Sequence, residues 1–71
     1  MTDLESVILD ILRKALPSAM TLTDVHAELV RRGWDVYLIT PQRITDALMA
    51  LADGNLVAHE IAWRALEEPG A

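Results

Sequence analysis

Apolar positions recur at helical spacing in three stretches of the chain and give way to shorter, strand-like runs only near its end. The first stretch carries Leu4, Val7, Ile8, Ile11, Leu12, Ala15 and Leu16 on one stripe, with Leu9 beside it. Thr2-Asp3-Leu4-Glu5 ahead of it has the form of a capping box. The Thr2 hydroxyl can accept from the third helical amide while Glu5 reaches back to the cap. Arg13 and Lys14 suit the negative end of the helix dipole, and Pro17 marks the stop. Residues 18–20 then read as a short extended link. The second stretch has Leu22, Val25, Leu29 and Val30 as its inward stripe. Thr21 is its cap with Asp24 behind it, and Arg31-Arg32-Gly33 its close.

Residues 34–39 are a connector rich in aromatic and branched side chains, in which Asp35 and the short length favour an ordered loop over a strand. In a small domain such a connector is expected to fold Trp34 and Tyr37 over the core. Thr40 caps the third helix and Pro41 takes its favoured first position. Ile44, Ala47, Leu48 and Leu51 face inward, and Gly54 or Asn55 supplies the left-handed stop. Residues 56–66 hold two short strands. A turn at Glu60-Ile61 would pair Ala58 with Trp63 and Leu56 with Ala65, turning those four side chains inward together. No Gly, Asn or Asp marks that turn, so the hairpin is weakly encoded. Residues 67–71 read as a frayed tail.

The length of 71 residues fits one domain over residues 1–71. With 52% hydrophobic and 24% charged residues the chain is not disordered, and it is apolar enough for its size that some surface could pair with a second chain. The apolar excess of the first helix, Leu9 included, suggests the seam of a homodimer. There are no cysteines, which removes disulfides, cysteine zinc sites and thiol catalysis together. No apolar run approaches membrane-spanning length, and no basic leader opens the chain. A soluble, cytoplasmic protein is expected, with no membrane partner.

The order helix, link, helix, connector, helix, hairpin, and the run from Arg43 to Val57 in particular, resemble the winged helix-turn-helix family of bacterial regulators. Those proteins read roughly Thr-Val-Tyr-Arg-Ala-Leu, two variable positions, Leu, three variable positions, Gly-Leu-Val. Here Ile44 takes the Val position, Ala47-Leu48 the Ala-Leu, Leu51 the second Leu, Asn55 the Gly, and Leu56-Val57 the final pair. The connector length is also similar to that of ferric-uptake-type repressors. The resemblance covers residues 3–66 and rests on core and cap positions. It implies an α+β winged helix, a three-helix core followed by a β-hairpin wing. It further implies a DNA-binding or transcription-regulating module acting on double-stranded DNA, with the early positions of the third helix at base edges.

On that implication Gln42 would read adenine, Arg43 would read guanine or hold a phosphate, Thr45 would bond a phosphate, and Arg64 would act from the wing. DNA binding is the leading expectation, with protein contact as the alternative because the charge balance weighs against DNA. The net charge is −5, eleven acids against six Lys+Arg, where an isolated DNA-binding module usually carries a basic excess. Asp46 and Asp53 share the outward face with Met49 and Ala50, a set that suits a protein contact within a larger assembly. Arg31 and Arg32 could anchor phosphates, but their place at the end of the second helix favours a dipole role. Arg64 is a candidate for pairing with Glu60 or Glu67 as much as for DNA. His26 and His59 have no partners at ligand spacing, so no metal site or other cofactor is expected. Neither a nucleophile elbow nor a glycine-rich phosphate loop is present, no small-molecule site is evident, and the chain does not read as an enzyme.

Overall fold

The structure, a computed structural model, describes residues 2–59 and 61–66. Three helices, α1 (Asp3–Ala15), α2 (Leu22–Arg31) and α3 (Pro41–Asp53), precede an antiparallel hairpin of β1 (Val57–His59) and β2 (Trp63–Ala65). This is an α+β arrangement with the layout of a winged helix. The expected turn residue Glu60 and the tail at 67–71 lie outside the described residues.

Local chemistry fixes the helix starts. Thr2 accepts from the Glu5 amide at 3.2 Å while Glu5 Oε1 accepts from the Thr2 amide at 3.3 Å, a complete capping box. Thr21 and Asp24 repeat it on α2. Thr40 caps α3 by accepting from the Arg43 amide at 3.3 Å, with Pro41 at the first helical position. Two helices end in the same way. After α2, Gly33 (φ 92) lets the Trp34 amide reach back to the Leu29 carbonyl. After α3 the left-handed residue is Asn55 (φ 59), not Gly54, and the Leu56 amide donates to the Leu51 carbonyl at 2.9 Å.

Ile8, Leu12, Val25, Leu29, Ile39, Ile44, Leu48 and Leu51 are almost wholly shielded and form the centre of one core. Trp63 and Ala65 close it from the wing. Helix α1 packs on α2, α3 and β2 at once, so three of its sides are used. Leu9 is buried, 6% exposed, within the chain itself. The dimer seam suggested for the first helix therefore loses the residue on which it leaned. Val30, expected in the inward stripe of α2, is instead 41% exposed.

The hairpin register differs from the sequence expectation by one residue. The pairs are Val57 with Ala65, Ala58 with Arg64, and His59 with Trp63. The expected two-residue turn would need left-handed backbone that its sequence does not favour, and the observed pairing of His59 with Trp63 is not compatible with it. A shift of one flips every side chain of a strand. Val57 thus enters the core, 3% exposed, in place of Leu56 and Ala58, while Trp63 and Ala65 face inward as expected. Leu56 is half-buried and packs on the core from the end of α3. The link before α2 also joins the sheet: Met20 and Trp63 exchange both backbone bonds, at 2.7 and 2.8 Å.

Candidate functional site

Helix α3 buries Ile44, Ala47, Leu48 and Leu51, which leaves its opposite side to solvent. Residues at steps of four, three and four lie in one line along a helix. The line opposite the core is therefore Gln42, Asp46, Met49 and Asp53, all exposed, with Met49 at 55%. It holds two carboxylates and no cation. Gln42 Nε2 donates to Asp46 Oδ1 at 2.8 Å, so the amide that could read a base is engaged along the helix.

The other expected contact residues sit off this line. Arg43 and Ala50 lie on one flank, and Arg43 shares a shallow depression with Thr2, Leu4 and Glu5 at the start of α1. The Thr2 hydroxyl donates to Glu5 Oε1 at 2.8 Å and holds the Glu5 carboxyl below its usual value, so a carboxylate lies in the neighbourhood of the Arg43 side chain. Thr45 is half-buried on the other flank. Arg64 is exposed on the outer face of the wing, opposite Ala58. It borders a shallow hollow with Ala19, Ala58, Ile61 and Ala62. The four residues expected at DNA are thus spread over the outward line of α3, its two flanks and the wing, with no bond joining Arg64 to the others among the described residues.

Most of the positive charge lies elsewhere. Lys14 Nζ and Arg32 Nη1 approach the same oxygen, Oδ2 of Asp10, at 3.2 and 3.0 Å. Arg32 above all, then Lys14, holds the Asp10 carboxyl below its usual range. Arg31 pairs with Glu28 at 3.6 Å. Among the described residues no ion pair holds Arg43 or Arg64.

No family model, curated protein or solved structure matches the chain. Function has to be read from the side chains that the fold presents.

One presented feature was not foreseen. Asp35 Oδ1 accepts from the Tyr37 amide at 2.8 Å, and the Asp35 carbonyl accepts from the Leu38 amide at 2.9 Å. This tight turn holds Val36, Tyr37 and Leu38 at the surface, with Tyr37 85% exposed. Trp34 packs on the core as expected, but Tyr37 does not. Asp35 was the legible signal, because an aspartate two residues ahead of an amide commonly starts such a turn. His26 is half-buried on α2. Among the described residues no cluster of His, Asp and Glu could hold a metal ion, and no helix is long and apolar enough to cross a membrane.

Proposed function

We propose that this chain is a small winged-helix regulatory module that docks a protein partner through the outward line of α3. The observation behind this reading is the make-up of that line: Gln42, Asp46, Met49 and Asp53, with both carboxylates in solvent and no cation among them. In a major groove those carboxylates would approach phosphates. Two like unit charges at close range near a protein surface repel by about 4 kcal/mol, more than a good base contact of about 1–3 kcal/mol returns. Against a protein the same line is serviceable, because Met adapts to irregular surfaces and Asp accepts hydrogen bonds from basic groups. Ala50 on the flank adds apolar area, and the Val36-Tyr37-Leu38 turn just ahead of α3 offers an aromatic anchor of the kind that dominates interfaces.

The test compares partner recovery by the full chain and by Met49→Asp, with unchanged circular dichroism showing that both fold. Recovery is expected to be lost in the variant; equal recovery would count against docking through α3. Random duplex DNA at low salt is expected to remain unshifted.

A second reading, DNA binding through Gln42, Arg43, Thr45 and Arg64, is favoured by one observation. Arg43 and Arg64 are without ion pairs among the described residues, while Lys14, Arg31 and Arg32 are engaged. On this reading the module acts as a homodimer, because two linked half-sites add the binding energy that one acidic module lacks. It predicts duplex binding that weakens steeply with salt and is lost in Arg43→Ala. On either reading we place the chain in the cytoplasm, in keeping with its lack of cysteine.

A further inference from the structure

We infer that the partner seated on α3 is a basic amphipathic helix, laid antiparallel along the outward line. The inference rests on the protein-docking reading of α3 and names the class of partner. Gln42, Asp46, Met49 and Asp53 follow one another at steps of four, three and four. That is the spacing with which one helix presents a seam to another. The seam rises about 16 Å over three turns, which a single docked helix spans. The side chains flanking its C-terminal half are small, Ala50 exposed and Ala52 half-buried. Small flanks let a second backbone approach to an interaxial distance of about 8–10 Å.

Charge sets the chemistry and the direction of that helix. The last turns of α1 and α2 carry Arg13, Lys14 and Arg31, where a cation offsets the helix dipole. The last turn of α3 carries no basic residue and closes on Asp53. A carboxylate at the negative end of a helix is unfavourable, and a cation or a helix N-terminus brought from outside offsets it. No ion pair holds Asp46 or Asp53 among the described residues. Arg43, on the flank, is the cation of α3. It lies three residues from Asp46 and offsets it in part, but ten residues from Asp53. That separation is about 15 Å of rise, beyond the Debye length of about 8 Å at physiological salt. The complementary helix therefore carries Lys or Arg over Asp46 and Asp53 and a large apolar residue over Met49. Its N-terminus lies beside the end of α3, which sets the two dipoles antiparallel, and its negative C-terminal end falls beside Arg43.

The probe is a synthetic helical peptide of the same three turns, with acetylated and amidated ends. It carries Leu at its centre, Arg four residues before and Arg three residues after, matching Met49, Asp53 and Asp46 in the antiparallel direction. A second peptide of the same composition scatters Leu and Arg around the helix, so it keeps the general attraction to a chain of net charge −5 and loses the register. Amide shifts of the isotope-labelled full chain locate the contact. Shifts are expected along 42–53 with the first peptide alone, and the affinity should fall as salt rises. Asp46→Lys with Asp53→Lys should weaken binding about tenfold or more, and a peptide with Glu for Arg should bind that double variant and not the natural chain. A spin label at the peptide N-terminus should broaden the signals around Asp53 and spare those around Gln42. Circular dichroism confirms folding, and Asp53→Asn replaces the double variant if it does not fold.

Unmoved α3 signals overturn the inference. So do equal shifts with the scattered peptide, binding that survives the charge reversal, or broadening at the Gln42 end. If the peptide leaves α3 unmoved while Met49→Asp still abolishes recovery of a protein partner, only the helical class of partner falls and the docking reading stands. If both fail, α3 is not a docking face.

Discussion

Gln42 donates from Nε2 to Asp46 Oδ1 at 2.8 Å, one turn further along the exposed side of α3. The pair presents to solvent a carboxylate whose partner amide on Gln42 is already engaged. Replacing Asp46 and Asp53 together by Arg removes two acids from the line and adds two cations. If α3 and the wing are posed as a groove-reading pair, the double variant should gain affinity for random duplex DNA. Each new phosphate contact should steepen the dependence of log K on log salt by about 0.9. Fluorescence anisotropy across a salt series measures both. No gain at low salt would mean that the outward line of α3 is not presented in a way a duplex can reach.

Neighbours on α3 should differ sharply in what they cost. Leu48 is fully shielded, and Leu48→Ala should destabilise the fold by about 2–5 kcal/mol through lost transfer energy and the cavity left behind. Met49 is 55% exposed, and Met49→Ala should stay within about 0.5 kcal/mol. A domain this small has about 5–15 kcal/mol at most to lose, so the first change should move the urea midpoint far and the second hardly at all. Similar midpoints for the two would contradict the assignment of the α3 faces.

The helices were legible because their signals are local. Thr2, Thr21 and Thr40 each sit one residue ahead of an apolar period and each caps a helix. The inward set of α3, residues 44, 47, 48 and 51, follows from spacing alone and is the set that is buried. The wing was harder. Both strands have only three residues, and neither Val57-Ala58-His59 nor the turn carries a residue that fixes the register. Two contacts accompany the observed pairing: Met20, from outside the hairpin, holds Trp63 at the other edge, and within it His59 stacks on the Trp63 indole with centroids 4.0 Å apart and planes 14° apart. No periodicity reports the contact between Met20 and Trp63, which lie far apart in the chain. The outward composition of α3 was readable from the sequence, but the bond that ties Gln42 to Asp46 and the α1-side placement of Arg43 were not. Both depend on rotamers and on packing between helices.

Asn55 provides a test of the join between α3 and the wing. Its φ of 59 is left-handed, which costs a residue with a Cβ about 1–2 kcal/mol, less for Asn because its side chain bonds locally. Asn55→Gly should therefore be neutral or slightly stabilising, while Asn55→Ala should cost up to about 1 kcal/mol. Thermal unfolding of the two variants reads the difference. A Gly variant less stable than the Ala variant would mean that Asn55 contributes something other than backbone conformation.

Acid should weaken the tie between α1 and α2. Arg32 and Lys14 hold the Asp10 carboxyl below its usual value, Arg32 contributing most, and Glu5 is lowered in the same sense by its bond from Thr2. A carboxylate with a lowered folded pKa contributes stability that is complete above its unfolded value of about 4. That stability is lost as pH falls through the lower, folded value. Asp10→Asn should therefore melt below the natural chain at neutral pH, and the gap between them should close as the solution is taken below about pH 4. Because Asp10, Lys14 and Arg32 all remain partly in solvent, with side-chain exposures of 45%, 71% and 32%, added salt should narrow the same gap at neutral pH. Melting curves at several pH values and two salt concentrations are sufficient. A gap that is constant from neutral to acid pH would mean that the Asp10 charge does not hold the two helices together, and would leave Arg32 and Lys14 free to serve a partner instead.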